Sequence, residues 1–124
     1  MRSQRKTYLN SEIIKRMVDQ AIINSVRKYL NYLKDNGFNV SFGVLFGSQV
    51  SGTAHEWSDI DLVIVSPDFD KKIECITLDK LWQYAGRTDS RIEPIPCGLE
   101  RWEKDDYTPI IDIARNEGTI VTLN

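Results

Sequence analysis

The 124-residue chain is long enough for one folded domain and too short for two. A hydrophobic fraction of 41% and a charged fraction of 27% are ordinary for a soluble globular protein and exclude a disordered chain. The formal net charge of −2, without a long basic block, argues against strong sequence-independent binding to nucleic acid.

A few single residues restrict location and chemistry. Cys75 and Cys97 have no metal-finger spacing, which predicts a reduced pair in the cytosol. Because His55 is the only histidine, a catalytic triad or a histidine-rich metal site is disfavoured. The basic stretch Met1–Lys6 is followed by no apolar run of signal-peptide or membrane length. We therefore predict a cytoplasmic protein that makes no membrane contact.

An amphipathic helix is predicted after a flexible tail at residues 1–9. Asn10 and Ser11 are typical helix caps, and Gly37 is a typical residue after a helix end. Between them, up to about Lys34, apolar residues recur at spacings of three and four: Ile13, Ile14, Met17, Val18, Ala21, Ile22, Val26, Tyr29, Leu30 and Leu33. We expect this stripe to cover a sheet, and a partner-binding helix is the alternative.

Two apolar segments then predict neighbouring strands, Val40–Phe46 and Ile60–Val65. The second is almost entirely aliphatic, as in a central strand covered on both faces. Asp59 and Asp61 stand at its entrance. Since residues two apart on a strand share a face, both carboxylates should project together.

The end of the first strand supplies a second chemical feature. Gly47 permits a tight turn, and Ser48 offers a hydroxyl and an N–H group to a phosphate oxygen. The loop 47–58 is predicted to begin with a short helical turn, whose N–H groups would add to phosphate binding. Asp59 and Asp61 repel each other unless a cation such as Mg²⁺ lies between them. A turn and a solvated strand end explain each part alone, but the combination indicates nucleotide chemistry.

The next two elements are a helix and a third strand. The helix is predicted over 73–85, ending at Gly86, with Leu78, Leu81, Trp82 and Ala85 on one face. The strand is predicted over 91–97. Its prolines, Pro94 and Pro96, indicate an edge strand that is not well paired along its full length.

The last third of the chain predicts two short helical segments and an extended end. Residues 99–103 are expected to be helical or irregular, with Trp102 packed inward. Thr108 and Pro109 are the cap and first residue of a helix that ends near Gly118. Residues 119–123 predict a final strand or an extended tail.

The central motif comprises Gly47-Ser48, Gly52 and Ser58-Asp59-Ile60-Asp61-Leu62. It resembles the signature of the DNA polymerase β-like nucleotidyltransferase superfamily, and within it the small group of minimal nucleotidyltransferases. The similarity runs from about the first helix to the end of the chain. It implies a single α/β (α+β) domain over residues 1–124, with a small mixed central sheet flanked by helices.

The resemblance also implies the site. Asp59 and Asp61 would be catalytic and would bind two Mg²⁺ ions, and a third carboxylate is expected on the following strand. Glu93 is the acid in the matching place, with Asp89 as the competing choice; relatives commonly carry aspartate there. From composition alone Glu93 would be an exposed edge-strand acid. ATP or another nucleoside triphosphate would place its phosphates on Gly47 and Ser48.

The acceptor follows from the resemblance as well. Many members of the group act beside a HEPN-domain ribonuclease toxin and silence it, by adding AMP to a tyrosine, by binding it, or both. We therefore expect AMP transfer from ATP to a HEPN-type toxin. A catalytically silent antitoxin is one alternative, and a nucleotidyltransferase acting on an aminoglycoside-like hydroxyl is another. A second copy of the chain is a further candidate partner.

One position departs from the family pattern. Relatives often carry arginine after Gly-Ser, where this chain has Gln49-Val50-Ser51-Gly52. A cation beside the phosphates would strengthen triphosphate binding. Arg87 and Arg91 are the candidates to replace it in space.

Overall fold

The structure is a computed structural model that describes residues 20–47, 59–104 and 108–124. The predicted tail, the caps at Asn10 and Ser11, Ser48 and the helical turn of the 47–58 loop lie outside the described residues. The described elements, in chain order, are α1 (20–35), β1 (Phe42–Phe46), β2 (Ile60–Ser66), a 3-10 helix (Pro67–Asp70), α2 (Cys75–Thr88), β3 (Ile92–Gly98), α3 (Leu99–Lys104), α4 (Pro109–Glu117) and β4 (Thr119–Val121).

The four strands form one mixed sheet in the order β3-β2-β1-β4. β1 is antiparallel to both β2 and β4, whereas β3 is parallel to β2. The last segment is therefore a strand rather than a tail. The predicted α+β fold with a small mixed sheet is confirmed.

Helices cover both faces of this sheet. Ile60, Leu62 and Ile64 of β2 belong to a core that includes the α1 and α2 side chains, while Val63 and Val65 belong to a second core with α4 residues. All five of these side chains have no solvent exposure. β2 is thus the covered central strand that its aliphatic sequence predicts.

The apolar stripe of α1 packs into the first core as predicted. Within the described part of the helix, its buried members are Ile22, Val26, Tyr29, Leu30 and Leu33. The Tyr29 hydroxyl donates a hydrogen bond of 2.8 Å to the carbonyl oxygen of Leu81 in α2. This bond joins the two helices on the same face of the sheet.

β3 corrects one expectation. It is an edge strand, as predicted, but its seven residues pair with β2 from end to end. The Ile60 N–H donates to the Arg91 carbonyl at 2.8 Å, which turns the backbone of Arg91 and of every second residue after it towards β2. Pro94 and Pro96 fall on the alternate positions, so both missing N–H groups face the open edge of the sheet.

α2 departs from its predicted pattern in two ways. It continues through Gly86 to Thr88, whose hydroxyl donates to the Tyr84 carbonyl at 2.9 Å. Leu81 and Ala85 are buried as expected, but Leu78 is 37% and Trp82 52% exposed. The buried face of α2 is centred on Leu81 and includes Ala85. The part of the predicted stripe that contains Leu78 and Trp82 therefore lies away from the sheet.

The predicted positions of Trp102 and Thr108 are confirmed. Trp102 is half-buried against the second core, with its ring 5.9 Å from that of Phe42. Thr108 is the N-cap of α4, but its hydroxyl accepts a bond from Arg101 at 2.8 Å and none from the helix. In the described ranges, no helix combines the length and the apolar character needed to cross a membrane.

Candidate active site

The candidate site lies where β1 ends and where β2 and β3 begin. Asp61 stands opposite Phe46, the last residue of β1, on one side and opposite Glu93 on the other. Asp59 precedes β2 by one residue and shares the face of Asp61. The sheet register therefore brings Asp59, Asp61 and Glu93 together at the end of the sheet where β2 and β3 begin, beside the turn at Gly47.

Gly47 has a positive φ of 77°, a backbone conformation that side-chain-bearing residues rarely adopt. A Cβ atom at this position would lie 2.4 Å from Oδ2 of Asp61. The backbone of the turn thus lies directly against the Asp61 carboxylate. The absence of a side chain at residue 47 makes this approach possible, as the Gly-Ser motif predicts.

The three carboxyl groups interact with one another. Desolvation, and then the charge of Asp59 and a hydrogen bond with Asp61, raise the pKa of the Glu93 carboxyl above its ordinary value. Asp59 also hydrogen-bonds with Glu93. Because neighbouring negative charges repel, the ionisation of Glu93 beside Asp59 and Asp61 is disfavoured. The structure therefore brings together the three acids singled out from the sequence.

Asp89, the competing third acid, has a different role. It accepts hydrogen bonds from Arg91 Nε at 3.0 Å and from Arg91 Nη2 at 2.7 Å. These bonds lower the pKa of the Asp89 carboxyl, and its bond with Ser25 of α1 does so too. Asp89 thus closes the turn between α2 and β3, and Glu93 is the acid beside Asp61.

The donor set can be tested against a divalent cation. Three carboxylates supply only oxygen ligands, which are the ligands that Mg²⁺ prefers. In the part of the chain that the structure describes, however, no three acidic, cysteine or histidine side chains form a ready-made metal cluster. The Glu93 carboxyl hydrogen-bonds with those of Asp59 and Asp61, so a cation bound among them would replace these contacts. The residues fit the ion in chemistry and position, but the ligand geometry is not preformed.

The two arginines proposed to replace the missing cation lie in different places. Arg87 donates to the Tyr32 hydroxyl at 3.3 Å and lies 5.6 Å from the centre of the Tyr84 ring, on the face covered by α1. Arg91 extends the β2–β3 register to the position opposite Asp59. Its side chain is 31% exposed and is oriented by Asp89. Of the two, Arg91 is the one whose backbone adjoins the carboxylate-bearing residues, while its guanidinium is held by Asp89.

The paired arrangement of Asp89 and Arg91 was not predicted from the sequence. The signal that could have revealed it is the spacing of two residues across a turn, which allows an aspartate to accept bonds from both the backbone and the side chain of the later residue. The Arg91 N–H does donate to Asp89 Oδ1 at 3.1 Å.

Comparison with known proteins now assigns the family. A family profile described as the nucleotidyltransferase domain matches residues 26–115. The chain belongs to the nucleotidyltransferase domain family. This match spans all three carboxylates and Gly47. No curated protein matches the chain.

Solved structures confirm the nucleotidyltransferase fold. One is a chain of a toxin–antitoxin complex with AMP-PNP, at a TM-score of 0.55 and 23% identity over 80% of this chain and 71% of the other. A proposed nucleotidyltransferase from Sulfolobus solfataricus has a TM-score of 0.59 and 11% identity over 86% and 84% of the two chains. A chain of a mutant toxin–antitoxin complex, MntA-HpeT, has a TM-score of 0.50 and 20% identity over 83% and 71%.

Proposed function

We propose that this nucleotidyltransferase transfers AMP from ATP to a hydroxyl acceptor, a tyrosine of a HEPN-type toxin, and so acts as an antitoxin. The observation that carries the proposal is the convergence of Gly47, Asp61 and Glu93. A Cβ at Gly47 would lie 2.4 Å from Asp61 Oδ2, and Glu93 stands directly opposite Asp61 on β3, so the candidate phosphate turn and the carboxylate cluster lie side by side. Fold neighbours taken from toxin–antitoxin complexes, one of them holding AMP-PNP, support a toxin partner and an adenine nucleotide.

The carboxylates would hold Mg²⁺, with Asp59 and Asp61 contacting two ions and Glu93 contacting one. When bound, Mg²⁺ would neutralise phosphate charge and lower the pKa of the acceptor hydroxyl. The Gly47 turn, with Ser48, would hold the β- and γ-phosphates through backbone N–H groups.

The chemical step is a displacement at the α-phosphorus. The acceptor oxygen forms a bond to this phosphorus while the bond to the oxygen that bridges to the β-phosphate breaks, and pyrophosphate leaves. The acceptor proton passes to the Glu93 carboxylate.

Arg91 would supply the cation that the sequence lacks after Gly47-Ser48. The Nε and Nη2 groups of Arg91 both donate to the Asp89 carboxylate. The two-point contact fixes the plane of the guanidinium, which favours recognition of phosphate oxygens. Arg91 is accordingly assigned to triphosphate binding and Asp89 to holding it in position.

The test is transfer of label from each α-labelled nucleoside triphosphate, in the presence of Mg²⁺ and the protein encoded beside this one. The D59N/D61N variant should lose transfer, whereas D79N, which removes an exposed acid of α2, should keep it. Label on the partner protein that depends on Asp59 and Asp61 supports the proposal. Tight binding of the two proteins without label would instead identify a catalytically silent antitoxin, which the missing arginine favours. Label on an aminoglycoside-like compound alone would identify a small-molecule nucleotidyltransferase.

A further inference from the structure

A cleft of about 440 Å³ lies at the other end of β2 from the carboxylates. It is lined by the turn after α1, the 3-10 helix, the segment that follows it, and the first turns of α2. The seven residues of β2 span roughly 20 Å, so the cleft is separate from the candidate active site. Its volume falls in the range of about 300–1,000 Å³ that is usual for small-molecule sites.

The position of the cleft is one at which sheets commonly bind ligands. β2 and β3 are parallel, and Pro67–Asp70 continues directly from the carboxyl end of β2. In open α/β sheets, ligands bind in crevices outside the carboxyl ends of the strands. The candidate active site, by contrast, uses the amino ends of the same two strands.

Three lysines line the cleft: Lys71, Lys72 and Lys80. Within the described ranges, none of their ammonium groups forms an ion pair or a hydrogen bond. Two acids, Asp68 and Glu74, also line it. The Asp68 carboxylate already accepts the Asn39 N–H at 2.8 Å. Three lysines against two acids leave the lining with one net positive charge, which favours an anionic ligand.

Aromatic side chains form the apolar part of the lining. Phe38 is half-buried and stands 6.2 Å from the buried ring of Phe69 and 6.4 Å from that of Tyr84, measured between ring centres. The turn at Gly37 leaves the mouth open, because a Cβ there would meet nothing within 4 Å. Because Phe38 and the three lysines line one cleft, a ligand that joins a flat ring to a charged group would meet both.

We propose that this cleft binds a small phosphate ester that carries a flat ring, the chemistry of a nucleoside monophosphate. Lys71, Lys72 and Lys80 contact the phosphate, and Phe38 contacts the ring. This site is distinct from the triphosphate site and does not depend on the proposed transfer reaction.

The test is calorimetric titration of AMP, inorganic phosphate and adenosine into the full-length D59N/D61N protein with a chelator present, which silences the carboxylate site. AMP should bind more tightly than inorganic phosphate, and adenosine should not bind. The K71E/K80E variant should weaken AMP binding about tenfold or more, equivalent to about 1.4 kcal/mol. K28E, which reverses an exposed lysine on α1 outside the cleft, should leave it unchanged.

Urea unfolding of each variant is the control: the charge reversals should leave the unfolding free energy close to that of the parent protein. No binding of AMP at millimolar concentration would overturn the proposal. If K28E weakened binding half as much as K71E/K80E on a logarithmic scale, the proposal would be overturned as well, because the effect would then follow the overall charge. If inorganic phosphate bound as tightly as AMP, the ring would contribute nothing to affinity, and this would also contradict the proposal.

Discussion

Replacing Gly47 by alanine tests whether the turn backbone holds the Asp61 carboxylate in its working position. Gly37 provides a matched control. Both glycines have positive φ angles, 77° at Gly47 and 94° at Gly37. A Cβ at Gly37 would meet nothing within 4 Å, whereas one at Gly47 would lie 2.4 Å from Asp61 Oδ2. The two substitutions share the backbone penalty and differ in the contact.

The backbone penalty of a left-handed alanine is about 1–2 kcal/mol, so both G47A and G37A should lose about this much unfolding free energy. The added contact at Gly47 falls on the far end of the Asp61 side chain, while Cγ and Cβ lie 3.3 and 3.6 Å away. Rotation of the carboxyl relieves it at little cost in stability. The cost should appear in activity, because displacing a reacting or metal-binding group by about 1 Å lowers the rate by about 10²-fold.

The measurements are urea unfolding with a chelator present and label transfer with Mg²⁺. We expect G47A and G37A to match in stability and only G47A to lose transfer. A double-mutant cycle locates the contact: in a D61A background, G47A should cost no more stability than G37A does. G47A with near wild-type transfer would refute the assignment of Asp61 and Gly47 to one site. A G47A protein that unfolds while G47A/D61A folds would show that the carboxylate cannot rotate away.

Three further outcomes follow from single contacts. The pKa of Glu93 is raised above its ordinary value of 4.5, so the folded state binds this proton more tightly than the unfolded state does. In chelator, the wild-type unfolding free energy should therefore fall as the pH rises from 4.5 through the raised pKa. E93Q should lack this decrease in urea unfolding. R91K should raise the KM for ATP about tenfold with a smaller change in kcat, since lysine cannot reproduce the two-point contact with Asp89; an unchanged KM would remove Arg91 from the site. Y29F deletes the 2.8 Å bond to the Leu81 carbonyl and should cost about 1 kcal/mol of unfolding free energy, measured by urea titration.

Local patterns predicted most of the fold because they follow from backbone geometry. The two-residue period of β2 placed Asp59 and Asp61 on one face, and the three-to-four period of α1 identified its buried stripe. The edge position of β3 also followed from its prolines. The sequence did not predict that the missing N–H groups of Pro94 and Pro96, two residues apart, would both face the open edge of the sheet. That depends on which alternate set of β3 residues bonds to β2, which is a tertiary choice.

The same limit explains the exposed face of α2. The spacing of Leu78, Leu81, Trp82 and Ala85 defines a stripe but not the rotation of the helix about its axis. The docked orientation buries Leu81 and Ala85 and leaves Trp82 52% exposed. Glu93 is a comparable case, because its place beside Asp61 depends on the β2–β3 register. Only the family resemblance, and not the local sequence, distinguished it from Asp89.

The site and the core of β2 make opposite contributions to stability. Ile60, Leu62 and Val63 are fully buried and fix the strand, and through it the positions of Asp59 and Asp61. Burial, and then the charge of Asp59 and a hydrogen bond with Asp61, raise the pKa of the Glu93 carboxyl, so the folded state disfavours its ionisation. Burial of β2 therefore holds the carboxylates in an arrangement that they would not adopt by themselves. An alanine at Asp59 or Asp61 should leave unfolding free energy equal or raised in chelator, while transfer is lost. A large loss of stability in that buffer would mean that these acids serve the fold rather than the reaction.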